Sequence, residues 1–148
     1  MADEKPSNPK KAFGDAKLPM FLVPDVVPAY ASLAFLEGAL KYGQYNWRAA
    51  GVTVSTYISA AERHMAKFKN GEWADQKTGV PHLASVLACV GIILDAHHLG
   101  KLTDDRPPFS PMASIIEDEL ASKMPKLKEM FKDYNPKQWT INDEIPNE

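Results

Sequence analysis

The stretch Glu37-Gly-Ala-Leu-Lys41-Tyr42-Gly-Gln-Tyr-Asn46-Trp47-Arg48 lies in the part of the chain that decides the fold, residues 33–99. A helix that runs into it carries an apolar face, because three leucines recur at i, i+3 and i+7. These are Leu33, Leu36 and Leu40. Glu37 falls within the same apolar arc at 100° per residue. A carboxylate there must be paired with a cation, hydrogen-bonded or bound to a metal ion, because an isolated buried charge is very costly. An i, i+4 pair with Lys41 is the alternative to a functional role.

Composition limits the class of protein. The 148 residues are enough for one domain with a core. They are 45% hydrophobic and 24% charged, with a net charge of −2, so no basic surface for DNA, RNA or a membrane is expected. The lone Cys89 excludes an internal disulfide, and residues 1–17 lack the apolar core of a signal peptide. The longest apolar run, Val86 to Leu94, is shorter than the roughly 20 residues that span a bilayer. We expect a cytoplasmic protein.

Periodicity and helix-end signals predict an all-α fold without a convincing strand. Four helices are expected: about 28–42, from Thr53 or Ser55 to about Lys69, from Pro81 to about Leu99, and about 112–131 with a break or cap at Pro125. The predicted regions are an N-terminal arm with a proline-bracketed extended segment (1–27), a helical core (28–108), and a C-terminal helix and tail (109–148). Residues 1–17 are expected to be irregular, and Tyr45 to Arg48 to form a loop after Gly43 ends the first helix.

The third predicted helix is apolar nearly all round, which is typical of a central, buried helix. Small residues recur along it at Ala84, Ala88 and Gly91, and Asp95 follows on the same stripe. Such a stripe permits a neighbouring helix to approach closely and brings Asp95 against it. A hydrogen bond to that neighbour is the alternative to a metal-binding role for Asp95.

Several acids and imidazoles fall on inward faces or adjoining loops: Glu37, His64, Glu72, Asp75, His82 and Asp95. Converging carboxylates suit hard cations such as Mg²⁺ or Mn²⁺, which polarise phosphoryl oxygens and activate water. Basic and aromatic residues nearby suit phosphates and a base: Lys41, Arg48, Arg63, Tyr42, Trp47 and Trp73. The structural alternatives are core histidines, a solvated acidic loop and packed tryptophans. The sequence has no phosphate-binding loop, GxGxxG, CxxC or GxSxG motif.

The order of these motifs resembles the dATP/dGTP diphosphohydrolases, relatives of the MazG-like all-α nucleotide pyrophosphohydrolases. The resemblance covers about residues 8–108. It is carried by Asn8-Pro-Lys, Leu22-Val-Pro, Glu37-Gly-Ala-Leu-Lys-Tyr-Gly, Tyr45-Asn-Trp-Arg, Arg63-His64, Gly71-Glu72, Asp75, Gly79, His82-Leu83, Gly91-Ile-Ile-Leu-Asp95-Ala and Asp104-Asp-Arg-Pro107.

The resemblance implies a MazG-like bundle of about four helices that assembles as a homodimer or homotetramer. It implies hydrolysis of a purine deoxynucleoside triphosphate to the monophosphate and pyrophosphate, with two or three Mg²⁺ or Mn²⁺ ions. The catalytic and metal-ligand candidates are Glu37, Glu72 and Asp75. The substrate-binding candidates are Lys41, Tyr42, Asn46, Trp47, Arg63, His64 and His82. The ExxE pair of MazG-like proteins is absent, since Ala34 and Leu40 stand three residues from Glu37, and Asp95 is the candidate that completes the ligands.

We expect dGTP as the preferred substrate, because the resemblance extends to members in phages that replace adenine with 2-aminoadenine. There the dGMP product feeds synthesis of the modified purine nucleotide. A non-catalytic purine-nucleotide-binding or regulatory module is the alternative function, and a purely structural helical protein is a third. The proline-bracketed segment and the fourth helix are both expected to pack against a partner subunit. Packing of the segment on its own bundle, in a monomer, is the alternative.

Overall fold

The computed structural model describes residue 6 and residues 8–145. The ends of the predicted arm and tail, at 1–5, 7 and 146–148, lie outside the described residues. The fold is mostly helical, as predicted, and two short strands join it. Its elements are α1 (Pro9–Asp15), a 3₁₀ turn (Met20–Leu22), α2 (Val26–Tyr42), α3 (Asn46–Ala50), β1 (Val52–Thr53), α4 (Val54–Lys69), α5 (His82–His98), β2 (Leu102–Thr103), α6 (Met112–Ala121) and α7 (Met124–Met130). The chain divides into two compact units, one ending at Thr103 and one beginning at Asp104.

The three core helices form where apolar periodicity and end signals predict them. Gly43 ends α2 with a φ of 92°, a left-handed conformation that glycine adopts without steric cost. Pro81 is the N-cap residue of α5 and has an extended backbone conformation. The sequence predicted it as the first residue of the helix, which instead begins at His82. The expected fourth helix is divided into α6 and α7 near Pro125, where a break or cap was predicted. Helix α7 begins at Met124, with Pro125 in its first turn. The proline lacks an N–H that the first turn leaves unpaired in any case.

Four local predictions are wrong. Residues 46–50 form a short helix instead of a loop, entered through Tyr45 at a left-handed φ of 55°. Within the supposedly irregular arm, the side chain of Asn8 accepts a hydrogen bond from the N–H of Lys10 and caps α1. A 3₁₀ turn interrupts the segment that was expected to be extended. Strands β1 and β2 pair in parallel, about 50 positions apart, so no local pattern marks them.

Helix α5 lies at the centre of the first unit, between α2 and α4. Its small residues permit this, as predicted: Ala84 and Ala88 are buried against Ala34 of α2. At Gly91 a side chain's first carbon would stand 3.1 Å from the Phe35 ring. The helix is central, as its composition predicts, but its outer face exposes Val90 and Leu94.

The buried side of α2 differs from the predicted side. The packed residues are Ala34 and Phe35, whereas Leu33, Leu36 and Leu40 are 45%, 53% and 80% exposed. Because α2 is apolar on nearly every side, spacing alone does not select the face that packs against α5. The three leucines form an apolar stripe on the surface of the chain, with Glu37 on its border.

The second unit contains α6 and α7, and no residue of its described part is buried. Its helices expose large apolar side chains: Met112, Ile115, Ile116, Leu120, Met124, Leu127, Met130 and Phe131. Across the described part of the chain, we find no helix with the length and hydropathy needed to cross a bilayer.

Candidate functional site

Glu37 and Lys41 face each other one turn apart on α2. The ammonium of Lys41 donates a hydrogen bond to a Glu37 carboxylate oxygen, so the expected ion pair is present. This hydrogen bond raises the pKa of Lys41, and the charge of Asp75 adds to the effect. The Glu37 side chain is only 23% exposed, while that of Lys41 is 50% exposed. The pair therefore presents a cation to solvent beside a partly enclosed carboxylate.

Asp75 lies in the turn between α4 and α5. Its Oδ1 accepts the N–H groups of Lys77 and Thr78, both at 2.9 Å, and these bonds hold the pKa of the carboxyl below its usual value. Ala74 and Pro81 form an antiparallel bridge that closes the turn. Glu72 and Asp75 therefore lie outside the helices and do not project together from one helical turn. The turn nevertheless brings Asp75 within electrostatic reach of Lys41.

Glu72, His82 and His64 form a continuous contact. His82, at the start of α5, is fully buried, and its Nδ1 lies 2.9 Å from Nδ1 of His64 on α4. Its Nε2 lies 3.1 Å from Oε1 of Glu72. That contact has ion-pair distance but is not aligned as a hydrogen bond, and Nε2 has no other hydrogen-bond partner within the described residues. Both histidines were predicted site residues, but their pairing was not.

The surroundings of His64 are mainly cationic. Burial lowers the pKa of this imidazole, and His82, Lys67 and Arg63 lower it further, whereas the negative charge of Glu37 raises it. These effects together favour the neutral form of the ring. These effects also show that Glu37, on α2, lies within electrostatic reach of His64, on α4.

A second region surrounds Asp95, near the other end of α5. Asp95 Oδ2 accepts the indole N–H of Trp47 at 2.7 Å and the Nε–H of Arg48 at 2.9 Å. Its Oδ1 accepts a second Arg48 N–H at 2.8 Å. These bonds hold the pKa of Asp95 below its usual value. The structural alternative for Asp95, a hydrogen bond to a neighbouring helix, is confirmed.

Arg48 also lies 4.5 Å from the centre of the Tyr45 ring, a cation–π distance. This cluster borders a cavity of about 580 Å³ between α2, α3 and α5, within the size range of small-ligand sites. The cavity is lined by Ser32, Phe35, Leu36, Ala39, Gln44, Tyr45, Trp47, Arg48, Gly91 and Asp95. The sequence singled out Trp47, Arg48 and Asp95 but missed Gln44 and Phe35, whose ring centre lies 5.7 Å from that of Trp47.

The two regions are separate within the chain. Asp95 is 13 residues from His82 on the same helix, which corresponds to about 20 Å at 1.5 Å per residue. One chain therefore does not bring Asp95 to Glu72 as a shared ligand. In the part of the chain that the structure describes, no three His, Cys, Asp or Glu side chains lie close enough to hold a metal ion.

The other predicted substrate contacts lie around these regions. Tyr42, at the end of α2, is 71% exposed, and Arg63 on α4 is also exposed. Asn46 is the first residue of α3. Trp73 packs on Phe68 with ring centres 5.9 Å apart, in agreement with its packing alternative.

Comparison with known proteins identifies one family. The family model described as dATP/dGTP diphosphohydrolase, N-terminal, matches residues 7–106. Searches of curated proteins and of solved structures give no match. The matched residues include α2, the turn with Asp75, the histidine pair and the Asp95 cluster. Since the match spans about two-thirds of the sequence, the chain belongs to the dATP/dGTP diphosphohydrolase family.

Proposed function

We propose that this chain hydrolyses purine deoxynucleoside triphosphates, preferably dGTP, to the monophosphate and pyrophosphate. The observation that supports the proposal is the ion pair of Lys41 with Glu37, which lies within electrostatic reach of Asp75 on a helical core that belongs to this family. The reaction would cleave the bond between the α-phosphorus and the oxygen that bridges it to the β-phosphorus.

The phosphate groups are proposed to lie near Lys41, Arg63 and Lys67. An ammonium binds phosphate as a point charge, and a guanidinium binds it through two parallel hydrogen bonds. Arg63 is exposed, and the charges of Arg63 and Lys67 both act on His64. This side of the core therefore offers several cations and two carboxylates to a triphosphate.

A requirement for Mg²⁺ or Mn²⁺, with two or three ions per site, is part of the proposal. The described side chains do not by themselves form a three-ligand cluster. Mg²⁺, however, is commonly held by one or two carboxylates together with substrate phosphates and water. Glu37 and Asp75 have the oxygen donors for this role. When bound, such ions polarise phosphoryl oxygens and lower the pKa of an attacking water.

The purine base is proposed to occupy the cavity beside Trp47 of a neighbouring subunit in the assembly, because Asp95 lies about 20 Å from His82 within one chain. Its lining offers the rings of Phe35 and Tyr45 for apolar contact, and Oδ1 of Asp95, which accepts one hydrogen bond from Arg48, keeps a lone pair for a further donor. Guanine presents N–H donors at N1 and at its 2-amino group, which adenine lacks. A carboxylate in the lining therefore favours dGTP over dATP. We propose Asp95 for this role instead of metal binding.

We further propose that the protein acts in the cytoplasm as a homodimer or homotetramer and supplies dGMP for 2-aminoadenine nucleotide synthesis. The assembly is supported by the exposed apolar stripe of Leu33, Leu36 and Leu40 and by the exposed apolar residues of α6 and α7. Closed twofold assemblies are the commonest way to cover such surfaces.

Turnover assays with each deoxynucleoside triphosphate test the proposal, using the whole chain with Mg²⁺ or Mn²⁺. We expect dGTP to be cleaved fastest and Glu37→Gln to reduce turnover at least about 10²-fold, in line with lost catalytic acid–base or charge stabilisation. Glu117→Gln, on α6, is the matched control and should retain activity. Tight dGTP binding without turnover would instead favour a non-catalytic nucleotide-binding module.

A further inference from the structure

The contacts of His82 with Glu72 and with His64 restrict which ring nitrogens carry the protons. A carboxylate oxygen 3.1 Å from Nε2 of His82 repels a lone pair on that nitrogen and attracts an N–H, even where the hydrogen bond is poorly aligned. A neutral His82 with its proton on Nε2 has a lone pair on Nδ1.

The next contact follows from this assignment. Nδ1 of His64 lies 2.9 Å from Nδ1 of His82, and two lone pairs at that distance would repel. His64 must therefore donate from Nδ1. In a neutral His64 ring, the other nitrogen, Nε2, then carries a lone pair. Which nitrogen of an imidazole is protonated is set by the hydrogen bond that the other one makes.

We propose that Glu72 and His82 are positioning residues that fix His64 as the Nδ1–H tautomer, so that Nε2 of His64 accepts the proton of the attacking water. This assigns Glu72 to the orientation of His82 and not to a metal ion. The proposal rests on the proposed pyrophosphohydrolase function. Lys67, Arg63 and Glu37, the charges that act on His64, are the groups near which that function places the triphosphate.

The proposed step balances in atoms and electrons. Water transfers one proton to Nε2 of His64 while its oxygen bonds to the α-phosphorus. The bond from the α-phosphorus to the bridging oxygen breaks, and its electron pair leaves with pyrophosphate. His64 then releases the proton to solvent, which restores the neutral ring for the next turnover.

The tautomer can be read directly by long-range ¹H–¹⁵N spectra of the whole chain labelled with ¹⁵N-histidine. We expect His64 to be protonated on Nδ1 and His82 on Nε2. The exposed His97 and His98 serve as internal references. Finding the His64 proton on Nε2 in the unmodified protein would overturn the proposal, and this measurement requires no variant that folds poorly.

Two amide variants of His82 give a matched comparison. The amide oxygen of asparagine can replace the Nδ1 acceptor, whereas glutamine places its amide near Nε2. We expect His82→Asn to retain the Nδ1–H tautomer of His64 and a substantial part of kcat. We expect His82→Gln to lose both, with kcat at least about tenfold lower and KM within a factor of about two, because a misplaced general base affects the chemical step. Equal loss in both variants, with His64 unchanged, would show a purely structural role.

Glu72→Gln separates this proposal from the proposed function. The amide can present either its oxygen or its N–H to Nε2 of His82, so we expect both tautomers of His64 to be populated and kcat to fall. A metal-ligand role for Glu72 would lower kcat without altering the tautomer of His64. If the unmodified protein cleaves no nucleotide but shows the expected tautomers, the proposed function fails and the histidine assignment holds. If dGTP is cleaved while His64 is protonated on Nε2, the further inference alone fails.

Discussion

Arg48 donates to both carboxylate oxygens of Asp95, at 2.9 and 2.8 Å, although 47 positions separate them in the sequence. The indole of Trp47 donates to the same carboxylate. One carboxylate thus fastens the short helix α3 to the central helix α5. The same contacts hold the indole ring of Trp47 and the guanidinium of Arg48 at the edge of the proposed base cavity.

Asp95→Asn should make the protein less stable in a pH-dependent manner. Its hydrogen bonds to Arg48 and Trp47 lower the pKa of Asp95 in the folded state from an ordinary value of 3.8. The contribution is therefore fully present above about pH 4 and is lost as pH falls through the lower, folded-state pKa. Urea denaturation from pH 7 to pH 3 should show the difference between unmodified protein and variant shrinking at the acidic end.

Asp25→Asn is the matched control, because Asp25 is exposed and its side chain makes no capping hydrogen bond at the start of α2. It should change stability little at any pH in that range. A constant difference between the unmodified protein and Asp95→Asn across the range would contradict the role of the Asp95 charge.

Trp47 should affect substrate affinity more than the chemical step. Base–aromatic stacking contributes about 1–3 kcal/mol per base. Trp47→Ala should therefore raise KM for dGTP at least about fivefold with a smaller change in kcat, in steady-state kinetics. Trp47→Phe also loses the hydrogen bond to Asp95 but keeps a ring, so its KM should rise less. Equal KM values for the two variants would argue against a base beside Trp47.

Replacement of glycine by alanine should affect stability differently at Gly38 and at Gly91, two positions in the core helices. Nothing lies within 4 Å of the position that a methyl group would take at Gly38, so Gly38→Ala should stabilise the protein by about 0.5–1 kcal/mol. At Gly91 the methyl would meet the Phe35 ring at 3.1 Å, and the helix gain should be reduced or reversed. Thermal denaturation measures both. Adding Phe35→Leu to Gly91→Ala should recover stability, because it removes the ring that the methyl group meets. If the double variant is no more stable than Gly91→Ala, the contact with Phe35 is not the cause of the loss.

The local part of the fold follows from the sequence, whereas contacts between distant segments do not. Helix α4 and helix α5 were predictable because apolar spacing, Gly71 and Pro81 are local signals. The pairing of β1 with β2 depends on two residues per strand brought together by the core. The buried face of α2 could not be selected because apolar residues occupy nearly all of its sides.

The candidate site follows the same division. Glu37 and Lys41 pair as a helix dictates, so their contact was predictable. His64 and His82 were each identifiable by residue type, but their 2.9 Å contact arises from the packing of α4 on α5. Asp95 was a metal-ligand candidate because the sequence shows that a carboxylate is present. It does not show that Trp47 and Arg48, far away in the chain, donate hydrogen bonds to it.

Assembly in solution should depend on the exposed leucine stripe of α2. Light scattering at micromolar concentration should give a multiple of the 16.4 kDa chain mass, corresponding to a dimer or a tetramer. Leu36→Glu places a charge at a position that is 53% exposed in the single chain, so it should dissociate the assembly without unfolding α2. A mass near one chain for the unmodified protein at every concentration would contradict the proposed assembly.

The product analysis of dGTP hydrolysis tests the central claim most directly. The whole chain is incubated with dGTP and Mg²⁺ or Mn²⁺, and nucleotides and phosphates are separated and quantified. The account predicts dGMP and pyrophosphate in equal amounts, with formation stopped by a chelator and restored by excess metal ion. Formation of dGDP and orthophosphate as the sole products would contradict it.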